Sequence, residues 1–463
     1  MKTKAFTHLP FGKKTGFGII LLLVIVLAIV PGYIRANDGS ESSQSSLTAN
    51  VVKKVYNNGL TLLIKPNYAN DVVAFNLFLR MGPLYEQPSQ KGISSLMQRC
   101  LLYGGTTNRN LPDIYQELES VGATWEYAVS SDCGNVWFKV ARSGFDKALD
   151  VFFDIIRNPR FNNGDLKTGK SEKIQNLKTW GDQPFNTVYS KFLKSFYGEH
   201  PYSWLADGSV ETVESLTRKD LIEWHQKTYI PNNMVFTIVG NVNPDEIIKK
   251  FEDTFGKLKK GKLPEKSSEP IPELDGDLVS VHPKNIQGAY LFLGYPAPEI
   301  LNDDVPVMVL LNTILGGSGM NNRLYTELRD KQGLAYYVGS NYQPMVGPTS
   351  IFAIMVTAPE NYRIARAGIV AEFKKFCDQP VSVKELEAAK KYIKGTFMMS
   401  QETSGAQGIL LGLAELTGSG YGYLKRYPDL IEAVTPEDIQ RVAQKYFKHY
   451  VLAVVAPEGS IEE

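Results

Sequence analysis

The chain has 463 residues, enough for two or three domains at roughly 150 residues each. Its 50 Lys and Arg against 49 Asp and Glu leave a net charge of +1, which excludes the basic footprint of a nucleic-acid binder. Apolar residues at 43% and charged residues at 21% exclude a disordered or fibrous chain. Cys100, Cys133 and Cys377 sit in unrelated contexts, which excludes a disulfide framework or a cysteine-based zinc site.

Lys2, Lys4, Lys13 and Lys14 precede Phe17–Ile34, a run without a charge whose centre, Ile19–Val30, is wholly Ile, Leu, Val and Ala. Residues 1–36 therefore read as a signal peptide or a membrane anchor. Ala36 suits cleavage, Ile34 is large for the third position back, and Pro31–Gly32 would end a helix early. Either way the lysines stay in the cytoplasm and the bulk is exported. The expected location is periplasmic, with the chain anchored in the inner membrane or released after cleavage. Residues 37–49 form a polar tether.

The globular part divides into an N-terminal domain (50–262), a linker (263–277, LPEKSSEPIPELDGD) and a C-terminal domain (278–457). The linker has three prolines and almost no periodicity. The two domains echo each other. Thr217 and Thr435 are N-cap candidates, each followed three residues later by Asp and then by a helix and an apolar strand; Pro436 suits a first helical position. Gln116-Glu117-Leu118 before Gly122 matches Thr326-Glu327-Leu328 before Gly333. Echoes at a near-constant offset predict a duplicated domain.

Within the first domain, Lys54–Lys65 predicts a hairpin turning at Asn58-Gly59, and Val72–Arg80 a strand. Ile93–Leu102 has apolar residues at helical spacing, with Leu96, Cys100 and Tyr103 on one stripe. Thr124–Val129 and Val136–Val140 predict neighbouring strands, and Phe145–Ile156 an amphipathic helix. The predicted class is α+β: two duplicated α/β-layered domains with largely antiparallel sheets and helices on one face.

Chemistry-bearing residues are sparse. His8, His200, His225, His282 and His449 include no two at ligand spacing, and no Ser–His–Asp or Cys–His set stands out. Gly316-Gly317-Ser318-Gly319 lacks the Lys-Ser/Thr of a phosphate loop.

Met81–Thr106 (MGPLYEQPSQKGISSLMQRCLLYGGT), His200-Pro201-Tyr202, Trp224–Val242 (WHQKTYIPNNMVFTIVGNV) and Leu311–Val338 (LNTILGGSGMNNRLYTELRDKQGLAYYV) together resemble the pitrilysin/insulinase family of inverted zincins, above all the bacterial relatives of mitochondrial processing peptidase. The resemblance covers nearly everything after residue 50. It implies the processing-peptidase-like fold, with two such domain pairs facing each other across a chamber. Active members carry H-x-x-E-H on the first helix, two zinc-binding imidazoles one turn apart and a carboxylate base between them. In register with Gly92 and Gly104, the corresponding residues here are Ser95, Gln98 and Arg99. The third ligand, a Glu on a later helix, corresponds to Gln175 or Asn176, with Glu172 one turn away. A weak ligand, two neutral amides and a fixed cation imply no metal and no cofactor in this chain.

Arg329 and Tyr336 match the Arg and Tyr that the family turns toward the zinc site from its C-terminal half, to hold substrate and stabilise the oxyanion. In the family, substrate adds as a strand to a sheet edge. The counterpart here is Thr124, Trp125, Glu126, Tyr127, Ala128 and Val129. The resemblance thus implies a noncatalytic subunit of an exported two-chain zinc peptidase. Such a chain is not a peptidase alone. It binds peptide and lends Arg329 and Tyr336 to a homologous partner that holds the zinc. The alternative is a scaffold protein of the same fold with no proteolytic role, like the core subunits of the respiratory bc complex.

Overall fold

The computed structural model describes residues 47–461. The expected signal or anchor over 1–36, most of the tether and His8 lie outside the described residues. Among those described, no helix is long and apolar enough to cross a membrane.

The first half runs β1 (Val52–Val55), β2 (Thr61–Pro66), β3 (Val72–Arg80), α1 (Ile93–Leu102), α2 (Leu111–Glu119), β4 (Thr124–Val129), β5 (Cys133–Ala141), α3 (Phe145–Arg157), α4 (Asn163–Asp182), α5 (Pro184–Tyr197), α6 (Val210–Ser215), α7 (Arg218–Thr228), β6 (Met234–Gly240) and α8 (Pro244–Phe255). No regular element follows until β7 (Leu278–Pro283). The second half continues with β8 (Ala289–Ala297), α9 (Val305–Asn312), β9 (Tyr337–Tyr342), β10 (Thr349–Thr357), α10 (Tyr362–Asp378), α11 (Val383–Met399), α12 (Ser404–Thr417), α13 (Tyr423–Ala433), α14 (Pro436–Tyr446) and β11 (Val451–Ala456). Between α9 and β9 the chain makes two wide π-helical turns, Thr313–Gly317 and Tyr325–Asp330.

Local chemistry sets these elements. Thr217 and Thr435 cap α7 and α14 as expected. Each hydroxyl accepts from the N–H three residues on, and the Asp220 or Asp438 carboxylate takes the threonine N–H in return. The β1–β2 hairpin turns at Asn58-Gly59, where the Asn58 amide donates to the Phe255 carbonyl at 2.8 Å and ties the turn to α8.

The strand orders are β1-β2-β6-β3-β5-β4 and β7-β11-β8-β10-β9. With β1 set aside they match strand for strand. Each sheet has one parallel pair in the same place, β2–β6 with Thr61 beside Val235 and β7–β11 with Leu278 beside Val451; the other pairs are antiparallel. The matched glycines agree too: Gly122 before β4 and Gly333 before β9 have φ of 63° and 64°. The duplication is a property of the topology.

The expectation of helices on one face needs correction, because each sheet is covered on both. The second cover is a single helix from the other half. α12 packs on β3 and β6 of the first sheet, with Leu410, Leu411 and Ala414 against Leu63 and Val239. α5 packs on β11 and β8 of the second, so Phe192 shares a core with Phe292, Val451 and Ala453. Strands buried on both faces must be apolar on both, and every residue of β6 and β11 is buried.

Candidate functional site

α1 lies against β4 on one side and α4 on another. Its N-terminus is closed by Glu86, whose carboxylate accepts from Gly92 N–H at 2.9 Å and Ser94 N–H at 3.0 Å. Every residue of the helix except Arg99 is buried. The polar residues it carries therefore need partners inside the fold, and each has one.

Ser95 and Arg99, one turn apart, both face α4. Ser95 Oγ donates to Asp207 Oδ1 and accepts from Lys173 Nζ at 2.6 Å; Lys173 also reaches Asp207 Oδ1 at 2.7 Å. Arg99 makes a two-point pair with Glu172, Nε to Oε2 at 2.8 Å and Nη2 to Oε1 at 2.9 Å. Gln98 points elsewhere. It is fully buried, accepts from the Tyr229 hydroxyl at 3.0 Å and donates to Met81 Sδ at 3.2 Å.

Gln175 is not brought to this cluster. It is exposed, and its amide donates to Thr179 of its own helix at 3.5 Å. Asn176 is exposed as well. α4 meets α1 at Asp165, Gly169, Glu172 and Lys173, along the helix's buried stripe of Leu166, Gly169 and Lys173. Lys173 and Asp207 are the functional side chains that sequence reasoning missed. A lysine seven residues after Leu166 and four after Gly169 on an otherwise polar helix was the available signal. Asp207, in the loop before α6, carried none.

The cluster's electrostatics are self-contained. Burial alone would lower the Lys173 pKa, but the Asp207 carboxylate outweighs it and holds the ammonium well above its ordinary range. Burial would raise Asp207, but the charge of Lys173 and the hydrogen bonds from Lys173 and Ser95 hold it below the usual carboxylate range. Both groups are charged at neutral pH. Ser95 and Lys173 have the composition of a nucleophile and base, yet a base must be neutral and the serine proton already goes to Asp207.

The donor set does not suit zinc either. A hydroxyl, an inward-facing amide and two cations, Lys173 and Arg99, occupy the positions that the resemblance gives to two imidazoles, a carboxylate and a dication. Among the described residues no group of three or more His, Cys, Asp and Glu side chains is placed to hold a metal ion. His200 instead caps a short turn, accepting from Tyr202 N–H at 3.2 Å, and burial pulls its pKa down to about 4. His225 bonds the Ile156 carbonyl at 3.0 Å.

β4 stands at the end of its sheet, so Thr124–Val129 present one unpaired edge among the described residues. Trp125 is held edge-on by Tyr115 at 5.2 Å. Glu126 accepts from the Tyr103 hydroxyl at 3.1 Å, and Lys173 lies over the Tyr127 ring at 5.5 Å. The edge strand and the ion-pair cluster are thus contiguous. Arg329 and Tyr336 lie in the other half, on either side of Gly333. Arg329 is exposed, its guanidinium 4.9 Å from the Tyr325 ring centre. Tyr336 is 73% exposed and leads into β9, the counterpart of β4 and likewise a sheet edge.

The chain is thus a duplicated sheet-and-helix scaffold whose two edge strands stand in equivalent places, one beside an ion-paired helix face. The model described as insulinase, peptidase family M16, matches residues 61–203, and that described as peptidase M16 inactive domain matches residues 215–393. The chain belongs to the M16 (insulinase) family. An uncharacterized zinc protease of Rickettsia bellii is 28% identical over 388 residues, 83% of this chain and 89% of that protein. A protease from Helicobacter pylori has a similar fold (TM-score 0.82, 22% identity, 88% of this chain and 99% of that one). So does a peptidase M16 inactive domain from Pseudomonas fluorescens (TM-score 0.82, 21% identity, 89% and 100%).

Proposed function

We propose that this chain is a noncatalytic, peptide-binding subunit of an exported two-chain peptidase, with zinc held by a homologous partner. The observation that carries the reading is the contrast on the two sides of α1. The face that would hold metal is closed by Lys173–Asp207–Ser95 and Arg99–Glu172, while the adjoining edge of β4 is left open. Pairing along a strand edge uses backbone N–H and C=O groups and needs no metal. Arg329 and Tyr336, both exposed, supply a fixed-charge donor and a directed hydroxyl to the partner's site. The four lysines ahead of an apolar run are what supports export of the globular part.

The test is co-purification of the full chain with an H-x-x-E-H homologue from the same source, followed by metal analysis and peptide hydrolysis. Arg329→Ala and Tyr336→Phe should each lower kcat of the complex by roughly 10²–10³-fold without disturbing assembly, since such donors act on charge that develops in the transition state. Unchanged turnover in both variants would leave a scaffold, and the shared-site reading would be withdrawn.

A further inference from the structure

A cavity of about 150 Å³ lies where α12 meets the other helices of the second half. Val305 and Val309 of α9, Ile393 of α11, Leu410 and Leu413 of α12 and Leu424 of α13 form much of its apolar wall, and Ser130 and Cys133 of the first half help to complete it. No lysine, arginine, histidine or glutamate lines it. Several of its polar side chains are already bonded. Thr313 and Thr417 donate to the Val309 and Leu413 carbonyls one turn back, each at 2.8 Å, and Tyr342 donates to the Pro298 carbonyl at 2.6 Å. The one carboxylate, Asp132, accepts from the Tyr202 hydroxyl and from Val346 N–H at 2.9 Å. Next to Ile300 of the wall, Leu301 is 63% exposed, and a Cβ at Gly418, beside Ser419 of the wall, would stand 3.6 Å from Leu301 Cδ1.

We infer that this cavity binds a small uncharged ring compound, aromatic or alicyclic, of the size of benzene to indole. The inference is independent of the peptide-binding reading above. Protein interiors are close-packed, so a void of this size is uncommon. Its volume matches the ~150 Å³ of an apolar protein cavity that stays dry and takes up benzene. A space between helices with apolar walls and few polar groups is a usual seat for a small molecule. An anion would lose its hydration there and meet a carboxylate instead of a counter-ion. The exposed Leu301 side chain gives an apolar molecule its first contact at the edge of the cavity. Because the wall draws on the start of β5 as well as on α9, α11, α12 and α13, an occupant touches both halves of the chain.

The probe is fluorobenzene, followed by fluorine NMR on the full chain, with para-fluorobenzoate and para-fluorobenzylammonium as charged analogues. Fluorobenzene should bind saturably with a Kd below about 1 mM, within reach of its ~7 non-hydrogen atoms. The benzoate should bind at least about tenfold more weakly. Val309→Phe, which fills the cavity from α9, should lower the number of fluorobenzene molecules bound per chain by one. Val309→Ala, which enlarges the cavity, should shift the preference toward fluoronaphthalene, and it keeps the assignment testable if the larger side chain prevents folding. No saturable binding by the unaltered chain overturns the inference. So does benzoate binding as tightly as fluorobenzene, or benzylammonium binding more tightly, which would make Asp132 the anchor of a cation site. Unchanged stoichiometry in folded Val309→Phe, or an unchanged preference in Val309→Ala, would place the ring elsewhere and overturn it too.

Discussion

The Lys173 ammonium stands 2.6 Å from Ser95 Oγ and 2.7 Å from Asp207 Oδ1, so a cation of the chain itself occupies the α4-facing side of α1. Arg99 adds a second cation one turn on, neutralised by Glu172. Two positive groups on one helix face would leave it repulsive to any dication. Paired with two carboxylates, they make it a structural element that ties α1 to α4 and to the loop before α6.

Lys173→Met should therefore act on stability. Removing one partner of a buried ion pair costs about 3–5 kcal/mol when the other charge is left uncompensated. The Asp207 side chain is 38% exposed, so water recovers part of this, and a loss of about 2 kcal/mol is expected. Urea unfolding measures it. Lys173→Met with Asp207→Asn should regain most of the loss, because no orphaned charge remains.

Glu86 makes stability depend on pH. Burial pushes its carboxyl from 4.5 up to about 7, against the pull of its hydrogen bonds from Ser94 and Gly92. A raised folded pKa means that the folded chain keeps a proton which the unfolded chain has released. Its contribution is fully present below pH 4.5, declines as pH rises and is gone above about 7. The effect amounts to at most about 3 kcal/mol. Glu86→Gln should flatten that slope while losing one of the two amide bonds, about 1 kcal/mol. Melting temperatures of both proteins across the window check it; parallel curves would refute the assignment.

Much of this was readable from sequence. The β3, α1 and β4 spans and both threonine caps follow from local periodicity and capping chemistry, and the duplication follows from echoes at Thr217/Thr435 and Gly122/Gly333. Periodicity reports which face of an element is apolar but not what covers it, so the exchange of α5 and α12 between halves was missed. The apolar run of β11, and that of β6 broken only by Thr237, were the signal that both faces are covered. At the site, Ser95, Gln98 and Arg99 were identified together, yet only Ser95 and Arg99 share a face. Gln98 turns to Tyr229, and Gln175 faces solvent. Spacing along one helix cannot say which residue of another will meet it, and so Lys173 and Asp207 went unseen.

The exchanged helix α12 approaches the first sheet at Gly412. A Cβ there would stand 2.1 Å from Phe78 Cε2, and Phe78 is fully buried. Gly412→Val should force the helix away from the sheet and cost about 1–3 kcal/mol, the usual range for overpacking. Because α12 is the second cover of the first sheet, the loss should appear in both halves at once. Hydrogen exchange at β3 and β6 should accelerate with that at α12. Faster exchange in α12 alone would show that the halves are energetically separate.

Rebuilding the metal face tests the electrostatic argument directly. Ser95→His, Gln98→Glu, Arg99→His and Asn176→Glu together restore the ligand types that the family resemblance implies. This fourfold variant should still bind zinc poorly, because the Lys173 ammonium remains held beside the face by Asp207 Oδ1, 2.7 Å away. The ammonium repels a dication and Asp207 offsets only part of that repulsion, so affinity should fall by at least about tenfold. Adding Lys173→Met removes that term, and loss of Arg99 frees the Glu172 carboxylate beside the site. Zinc per chain after dialysis, read by plasma mass spectrometry, should be well below one for the fourfold variant and approach one for the fivefold. Equal, stoichiometric zinc in both would show that Lys173 swings clear and is no barrier. Zinc in neither would show that α1 and α4 no longer present a ligand geometry at all.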